Sequence, residues 1–286
     1  KQYEKTLKYE LNYSPATIKR YVYNITQLGK FLALHFFGGK VPEVNEIQTL
    51  HIRRFLAYLS RERQCQTSTI VSNIWDLTAF FNFAQKMGEI KRNPVKKIRL
   101  PALPDRPPRA LSVEELRALF SAVDTSRFTG YRDLVILKTL YYAGLRAGEL
   151  ANLKVCDLDD KLEALNVREG KGRKDRIVPV HPHLRHYLKD YLELKNDNSP
   201  YLFTSSRGKR FTKHYVAYLV KKYVRKAGLP DEITTHSLRH SFATHLVQEG
   251  VKIHYVGELL GHNSIDTTMV YTHRTVENLK RLILKL

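Results

Sequence analysis

Several polar residues in the second half of the sequence lie where helices are predicted to begin or end. Arg146 stands between two predicted helices. His236 and Arg239 lie three residues apart at a predicted helix start, which places them on one helical face. His262 directly follows another predicted helix. The positive end of a helix dipole and the forked guanidinium group both favour a phosphate ligand, so this pattern predicts phosphate binding.

Each of these residues also has an ordinary structural explanation. Arg146 could form an ion pair with Glu149, and His236 could cap its helix. The sequence contains neither a Gly-x-x-x-x-Gly-Lys-Ser/Thr phosphate loop nor a Gly-x-Gly-x-x-Gly dinucleotide motif after a strand. The acidic residues Asp157, Asp159 and Asp160 are typical of a solvated turn. The sequence therefore indicates neither a nucleotide-dependent enzyme nor a two-metal nuclease.

The histidines do not predict a metal site. His236, His240 and His245 lie on one predicted helical stretch, at spacings of four and five residues. No Cys or Glu lies between them to complete a ligand set. We therefore expect no metal and no cofactor.

Taken in chain order, six residues resemble the catalytic signature of the tyrosine recombinase (phage-integrase-like) family. The surrounding runs Gly-Leu-Arg-Ala-Gly-Glu-Leu, Thr-His-Ser-Leu-Arg-His and Leu-Leu-Gly-His agree with that family, and the tyrosine follows the last histidine by nine residues, as the family's nucleophile does. These sequence runs most resemble those of Xer-like recombinases, which resolve chromosome dimers at a defined site. The resemblance is strong over the catalytic domain and rests on architecture alone before it. The six residues are Arg146, Lys171, His236, Arg239, His262 and Tyr271.

The resemblance implies site-specific cutting and rejoining of DNA. Arg146 and Arg239 would hold the non-bridging oxygens of the scissile phosphate and stabilise the charge of the transition state. Tyr271 would attack the phosphorus, which gives a 3′-phosphotyrosyl intermediate and a free 5′-hydroxyl. Because that intermediate conserves the bond energy, neither ATP nor a divalent metal is needed.

The other signature residues would assist this reaction. Lys171, between two glycines at the tip of a predicted hairpin, would protonate the leaving 5′-oxygen. His236 would act as an acid–base group near the nucleophile, and His262 would donate a hydrogen bond to the phosphate. Glu149 would lie behind these residues and orient them.

The implied partner is a double-stranded DNA recombination site, bound by four protomers as a homo-tetramer or as a hetero-tetramer with a related recombinase. A mobile-element integrase or resolvase of the same family is the nearest alternative function. A type IB topoisomerase-like enzyme and a non-catalytic DNA-binding protein are further alternatives. A membrane-surface role is disfavoured, because the basic residues are spread over the chain and do not flank an apolar anchor.

The charge of the whole chain agrees with a polyanionic partner. The 286 residues include 48 Lys and Arg against 28 Asp and Glu, a formal net charge of +20. Residues 1–100 carry 17 basic and 7 acidic side chains, and residues 101–286 carry 31 and 21, so both halves share the excess. Two cysteines, Cys65 and Cys156, are compatible with a reducing compartment, and we expect a cytoplasmic protein without a membrane span.

The elements that must position these residues form two predicted domains: a helical, DNA-binding domain over residues 1–100 and a catalytic domain over 111–286. Residues 101–110 are rich in proline and predict an extended linker. In the first domain, Ser14-Pro15, Thr49 and Ser68 each precede a predicted amphipathic helix, so we expect a small helical bundle.

The second domain is predicted to be mainly α with a small antiparallel β-sheet. Ser112 opens a capping box. A separate helix that contains Leu134 and Tyr141 is predicted to end at Gly144. Strands are predicted at Leu162–Arg168 and Arg176–Val180. Further helices are predicted from Leu184, from Thr212, from Ser237 to Gly250, from Lys252 to Gly261, and over residues 275–286. The last is amphipathic, and its docking on its own domain or on a neighbouring protomer stays open.

Overall fold

A computed structural model describes residues 1–102, 109–168 and 175–261. The chain divides into two units, Lys1–Asp105 and Arg106–Leu286, and the division lies within the proline-rich segment. The predicted roles of Lys171, His262 and Tyr271, and the predicted helix 275–286, fall outside the described residues. The predicted fold class, mainly α with a small antiparallel sheet, is confirmed.

The N-terminal unit is a helical bundle. Its helices bury apolar stripes against one another, with Leu32, Ile52 and Phe81 fully inaccessible to solvent. Ser14 caps the longest helix through a hydrogen bond from the Thr17 backbone N–H (3.1 Å). The helices are α1 (Gln2–Lys5, continued by a π-helical turn Thr6–Glu10), α2 (Pro15–His35), α3 (Thr49–Arg61) and α4 (Thr67–Lys86).

Two helices in this unit begin earlier than predicted, α3 by one residue and α4 by two. α3 begins at Thr49 itself, whose hydroxyl donates to the Pro94 carbonyl (2.8 Å) instead of capping the helix. α4 begins at Thr67, so Ser68 lies inside its first turn. The sequence analysis also missed α1, a short helix whose Tyr3 packs with Leu7 and Ile18 in a separate apolar cluster.

In the C-terminal unit, a central helix is buried on nearly all sides. This helix, α6, spans Phe128–Tyr142, and every residue from Arg132 to Leu140 is inaccessible or nearly so. Its buried Lys138 lies among aromatic rings, 4.2 Å from the Tyr187 ring centre. The helices of this unit are α5 (Val113–Ser121), α6, α7 (Ala147–Asn152), α8 (Pro182–Leu194), α9 (Lys213–Lys226), α10 (Thr235–Gln248) and α11 (Ile253–Leu260).

The predicted strands are present but shorter. β1 (Ala164–Val167) pairs antiparallel with β2 (Arg176–Pro179), with Val167 opposite Arg176. β1 does not begin at Leu162, because that residue has a φ of +55°, which belongs to a turn.

The acidic run before this hairpin is not the solvated turn that the sequence predicted. Asp157 is buried and accepts a hydrogen bond from the Lys154 backbone N–H (2.9 Å). Asp159 accepts bonds from the Glu163 and Ala164 backbone N–H groups at 2.6 and 2.8 Å. These carboxylates therefore satisfy backbone donors at the entry to β1, and only Asp160 is exposed.

Within the described residues, no helix combines the length and the apolar character needed to cross a membrane.

Candidate active site

A glycine sets the backbone before Arg146. Gly144 follows the end of α6 with a φ of +58°. A Cβ atom there would lie 2.5 Å from the Phe242 ring and 3.0 Å from a Leu260 methyl carbon, so both the backbone angle and the packing require glycine. Arg146 is then the N-cap residue of α7, and its backbone N–H donates to Glu149 Oε2 at 2.8 Å.

Glu149 lies among three arginines, and we call these four residues the Glu149 cluster: Arg146, Glu149, Arg176 and Arg239. Arg146 Nη1 donates to Glu149 Oε1 at 2.5 Å. Arg176 donates to both carboxylate oxygens, at 2.9 and 3.3 Å. Arg239 Nη1 lies 3.7 Å from Oε2. Three guanidinium groups from separate elements therefore meet at one carboxylate, and the forked guanidinium group is suited to a phosphate ligand.

The same arginines contact the C-terminal end of α11. Carbonyl groups at a helix C-terminus lack intrahelical partners and carry the negative end of the helix dipole, so cations stabilise them. Here the carbonyl groups of three consecutive residues each face one arginine, and these residues directly precede His262 in the chain. The pairs are Leu259 with Arg176 Nε (2.8 Å), Leu260 with Arg239 Nη2 (2.5 Å) and Gly261 with Arg146 Nη2 (3.5 Å).

α10 carries Arg239 and His236 one turn apart. α10 begins at Thr235, two residues before the predicted start at Ser237. Ser237 lies inside the first turn, because its Oγ accepts a hydrogen bond from the Thr234 backbone N–H (3.1 Å). Arg239 is buried, and its Nη1 also donates to the Gly144 carbonyl at 2.8 Å. His236 is exposed to solvent.

The remaining histidines of α10 have other surroundings. His245 Nδ1 is 2.8 Å from the Tyr141 hydroxyl. Burial lowers the pKa of His245 and raises the pKa of Tyr141 to about 12. His240 is buried, unlike His236. Across residues 1–102, 109–168 and 175–261, no group of three or more His, Cys, Asp or Glu side chains could hold a metal ion.

The structure thus brings together Arg146, Arg239 and Glu149, and places His236 on the same helix as Arg239. Lys171, His262 and Tyr271 lie outside the described residues. Their sequence neighbours in the described part are Arg176, five residues after Lys171, and Gly261, which precedes His262.

Sequence reasoning missed Arg176. The signal that could have found it is the alternation of side chains between the two faces of β2, which places residues 176 and 178 on the same face. Val178 is fully buried, so Arg176 points a charged side chain toward the core, where it is 8% exposed. A charge on the inner face of a strand requires a buried partner, and Glu149 is that partner.

Both units of the chain are similar to known proteins. The profile of the phage integrase family matches residues 109–278, and that of the phage integrase SAM-like domain matches residues 2–100. The tyrosine recombinase XerA of Thermococcus kodakarensis is 39% identical over 271 residues, which cover 94% of this chain and 88% of the relative. XerC of Oceanobacillus iheyensis is 33% identical over 287 residues, covering 98% and 92%.

Solved structures share the fold. A crystal structure of XerA recombinase is 29% identical with a TM-score of 0.55, covering 99% of this chain and 95% of that one. XerH bound to a palindromic difH substrate has a TM-score of 0.74 at 24% identity, covering 95% and 80%. With family profiles along both units and relatives above 30% identity over almost its whole length, the chain belongs to the phage integrase family and is a site-specific, Xer-like tyrosine recombinase, an enzyme that cleaves and rejoins DNA.

Proposed function

We propose that this enzyme breaks DNA with the Tyr271 hydroxyl while Arg146 and Arg239 hold the scissile phosphate. The observation that carries the proposal is the Glu149 cluster, which brings Arg146 and Arg239 together at the end of α11. The chain continues directly from that end to His262 and, nine residues later, to Tyr271. Both arginines belong to one cluster, so a single phosphate is the natural ligand for the pair.

The reaction needs a proton acceptor and a proton donor, because a phenol with a pKa of about 10 is a weak nucleophile at neutral pH. Tyr271 loses its proton to His236 as its oxygen bonds to phosphorus. The bond from phosphorus to the 5′-oxygen breaks, and Lys171 protonates that oxygen. Arg146 and Arg239 stabilise the additional negative charge of the transition state. His262 donates a hydrogen bond to the phosphate, and reversal of the same steps rejoins a strand.

The substrate is a double-stranded recombination site. The +20 net charge supports binding to phosphates, and related structures such as XerH contain their DNA substrate. Recombination exchanges two strands in each of two duplexes, so four protomers act together, either as one homo-tetramer or with a related recombinase. The XerA and XerC relatives support chromosome dimer resolution as the role.

An integrase of a mobile element is the second candidate. It is favoured by the transposon Tn1549 integrase, whose structure in complex with circular intermediate DNA shares this fold with a TM-score of 0.79 at 20% identity. Sequencing of the DNA attached covalently to Tyr271 in host cells separates the two roles. A single chromosomal site indicates dimer resolution, and the ends of a mobile element indicate integration.

Replacement of the nucleophile tests the proposed reaction. Tyr271→Phe should bind DNA as the wild type does, yet form no covalent adduct with a nicked suicide substrate, because it lacks the attacking oxygen. Tyr255→Phe is the matched control, since Tyr255 is an exposed tyrosine on α11 and should leave adduct formation intact. An adduct formed by Tyr271→Phe would contradict the assignment. Plasmid relaxation without exchange between two sites would instead indicate a topoisomerase-like activity.

A further inference from the structure

Arg176 is buried in the candidate site, yet the catalytic roles above do not use it. Its side chain is 8% exposed, as is that of Glu149. It donates two hydrogen bonds to the Glu149 carboxylate and a third, from Nε, to the Leu259 carbonyl at 2.8 Å. All three contacts are within the described residues, and together they join β2, α7 and the end of α11.

The charge of Glu149 explains why such a residue is needed. Its carboxylate is 2.5 Å from Arg146 and 3.7 Å from Arg239, the two arginines assigned to the phosphate. At these distances an uncompensated carboxylate would offset one of these two cations. Arg176 donates two hydrogen bonds to the same carboxylate and so compensates its charge.

The contact with Leu259 adds a geometric role. Leu259 lies in the last turn of α11, three residues before His262, and β2 follows the segment that carries Lys171. A guanidinium bonds two acceptors in different directions because its donors are held in a rigid plane, which an ammonium group cannot reproduce. Arg176 therefore fixes the strand that follows Lys171 to the helix end that precedes His262.

We propose that Arg176 is a positioning residue for DNA cleavage, which compensates the Glu149 charge so that Arg146 and Arg239 retain theirs for the phosphate. This inference rests on the proposed function, because it assumes that the cluster binds the scissile phosphate. Arg176 does not itself contact the DNA; it acts through Glu149 and through the end of α11.

The test measures single-turnover adduct formation on the suicide substrate at saturating DNA, with DNA affinity measured separately. Arg176→Gln should lower the cleavage rate about 10- to 100-fold, with DNA affinity little changed, because the loss lies in transition-state stabilisation. The double variant Arg176→Gln/Glu149→Gln should cleave at least about five-fold faster than Arg176→Gln, since it removes the uncompensated carboxylate. Arg176→Lys, which keeps the charge but not both contacts, should fall between the wild type and Arg176→Gln.

Arg185→Gln is the matched control. It removes the same charge from the same unit, but from an exposed ion pair with Glu163, and should cleave at the wild-type rate. If Arg176→Gln does not fold, as judged by circular dichroism, Arg176→Lys replaces it in the comparison with the wild type. A rate for Arg176→Gln equal to wild type, or a double variant no faster than Arg176→Gln, would overturn the inference alone. Where Arg176→Gln does not fold, a rate for Arg176→Lys equal to wild type would do the same. A wild-type protein that forms no adduct would contradict the proposed function and this inference with it.

Discussion

Each unit of the protein buries a carboxylate, and the two have opposite surroundings. Asp76 in α4 is 1% exposed and accepts hydrogen bonds from Arg20 (2.9 Å) and Asn24 (2.7 Å). One cation therefore balances one anion. Glu149, by contrast, has three arginines around it.

The exposure of the cations differs as well. The Arg20 side chain is 54% exposed, so water solvates most of its charge. Those of Arg176 and Arg239 are 8% and 6% exposed. A single pair with a solvated cation is typical of a structural contact, whereas several guanidinium groups brought together from separate elements are typical of an anion-binding site. The comparison supports a stabilising role for the Asp76 contacts and the proposed phosphate-binding role of the Glu149 cluster.

The largest expected difference in DNA cleavage is between removal of an arginine from the Glu149 cluster and removal of the arginine that contacts Asp76. Arg239→Ala should lower single-turnover DNA cleavage about 10²- to 10³-fold, because it removes a donor to the transition state. Arg20→Ala should leave the cleavage rate at saturating DNA near the wild-type value and lower the free energy of unfolding by about 1 kcal/mol. Adduct formation and urea unfolding measure the two effects. An equal loss of cleavage in both variants would contradict the assignment of the Glu149 cluster to catalysis and of the Asp76 contacts to stability.

The second-largest effect is expected on the free energy of unfolding, at Gly144, which lies two residues before Arg146 of the Glu149 cluster. Gly144→Ala should lower the free energy of unfolding by about 2–4 kcal/mol, because a side chain there combines an unfavourable φ with overlap of Phe242. Gly148→Ala is the matched control: nothing lies within 4 Å of the added Cβ atom, and alanine favours the helix. Urea unfolding of both variants checks this. Equal stability of the two would mean that the chain near Arg146 tolerates displacement.

The sequence predicted those parts of the fold and site that depend on local patterns. The apolar stripe of α2 and the capping box at Ser112 were readable because helix periodicity and caps are short-range. The short helix α1 was missed because Tyr3 is its one buried residue, and Leu7 is the one buried residue of the π-helical turn that continues it. Its stability comes from packing on Ile18, a contact that its own pattern does not reveal.

The same limit applies to the Glu149 cluster. The resemblance singled out Arg146 and Arg239, and the helix spacing placed Glu149 beside Arg146. It did not single out Arg176, which is 27 residues from Glu149 and meets it only through the pairing of β2. Nor could local patterns show that arginines from three elements meet consecutive carbonyls of α11, since helix-end contacts of this kind depend on tertiary packing.

The smallest expected effect is the pH dependence of stability that Asp76 contributes. It tests the surroundings of Asp76 in the comparison with Glu149. Burial is the largest influence on this carboxyl and raises its pKa, against the opposing effects of Asn24 and Arg20. The folded state therefore binds the Asp76 proton more tightly than the unfolded chain does. The resulting stability is fully present below the unfolded pKa of about 4 and is lost as the pH rises through the folded pKa.

Asp76→Asn has no such proton to bind, so the difference in unfolding free energy between wild type and variant isolates the effect. That difference should fall as the pH rises, by about 1.4 kcal/mol for each unit by which the pKa is raised. Asp231→Asn is a control of opposite sign, because the hydrogen bond from Arg225 lowers the pKa of Asp231 and makes its contribution grow with pH. Urea unfolding between pH 4 and pH 7 measures the Asp76 effect. For Asp231 the measurement extends down to about pH 2, because its contribution grows between its lowered folded pKa and the unfolded pKa of about 4. A difference for Asp76 that grows with pH would mean that Arg20 and Asn24 together outweigh burial and lower the pKa of Asp76.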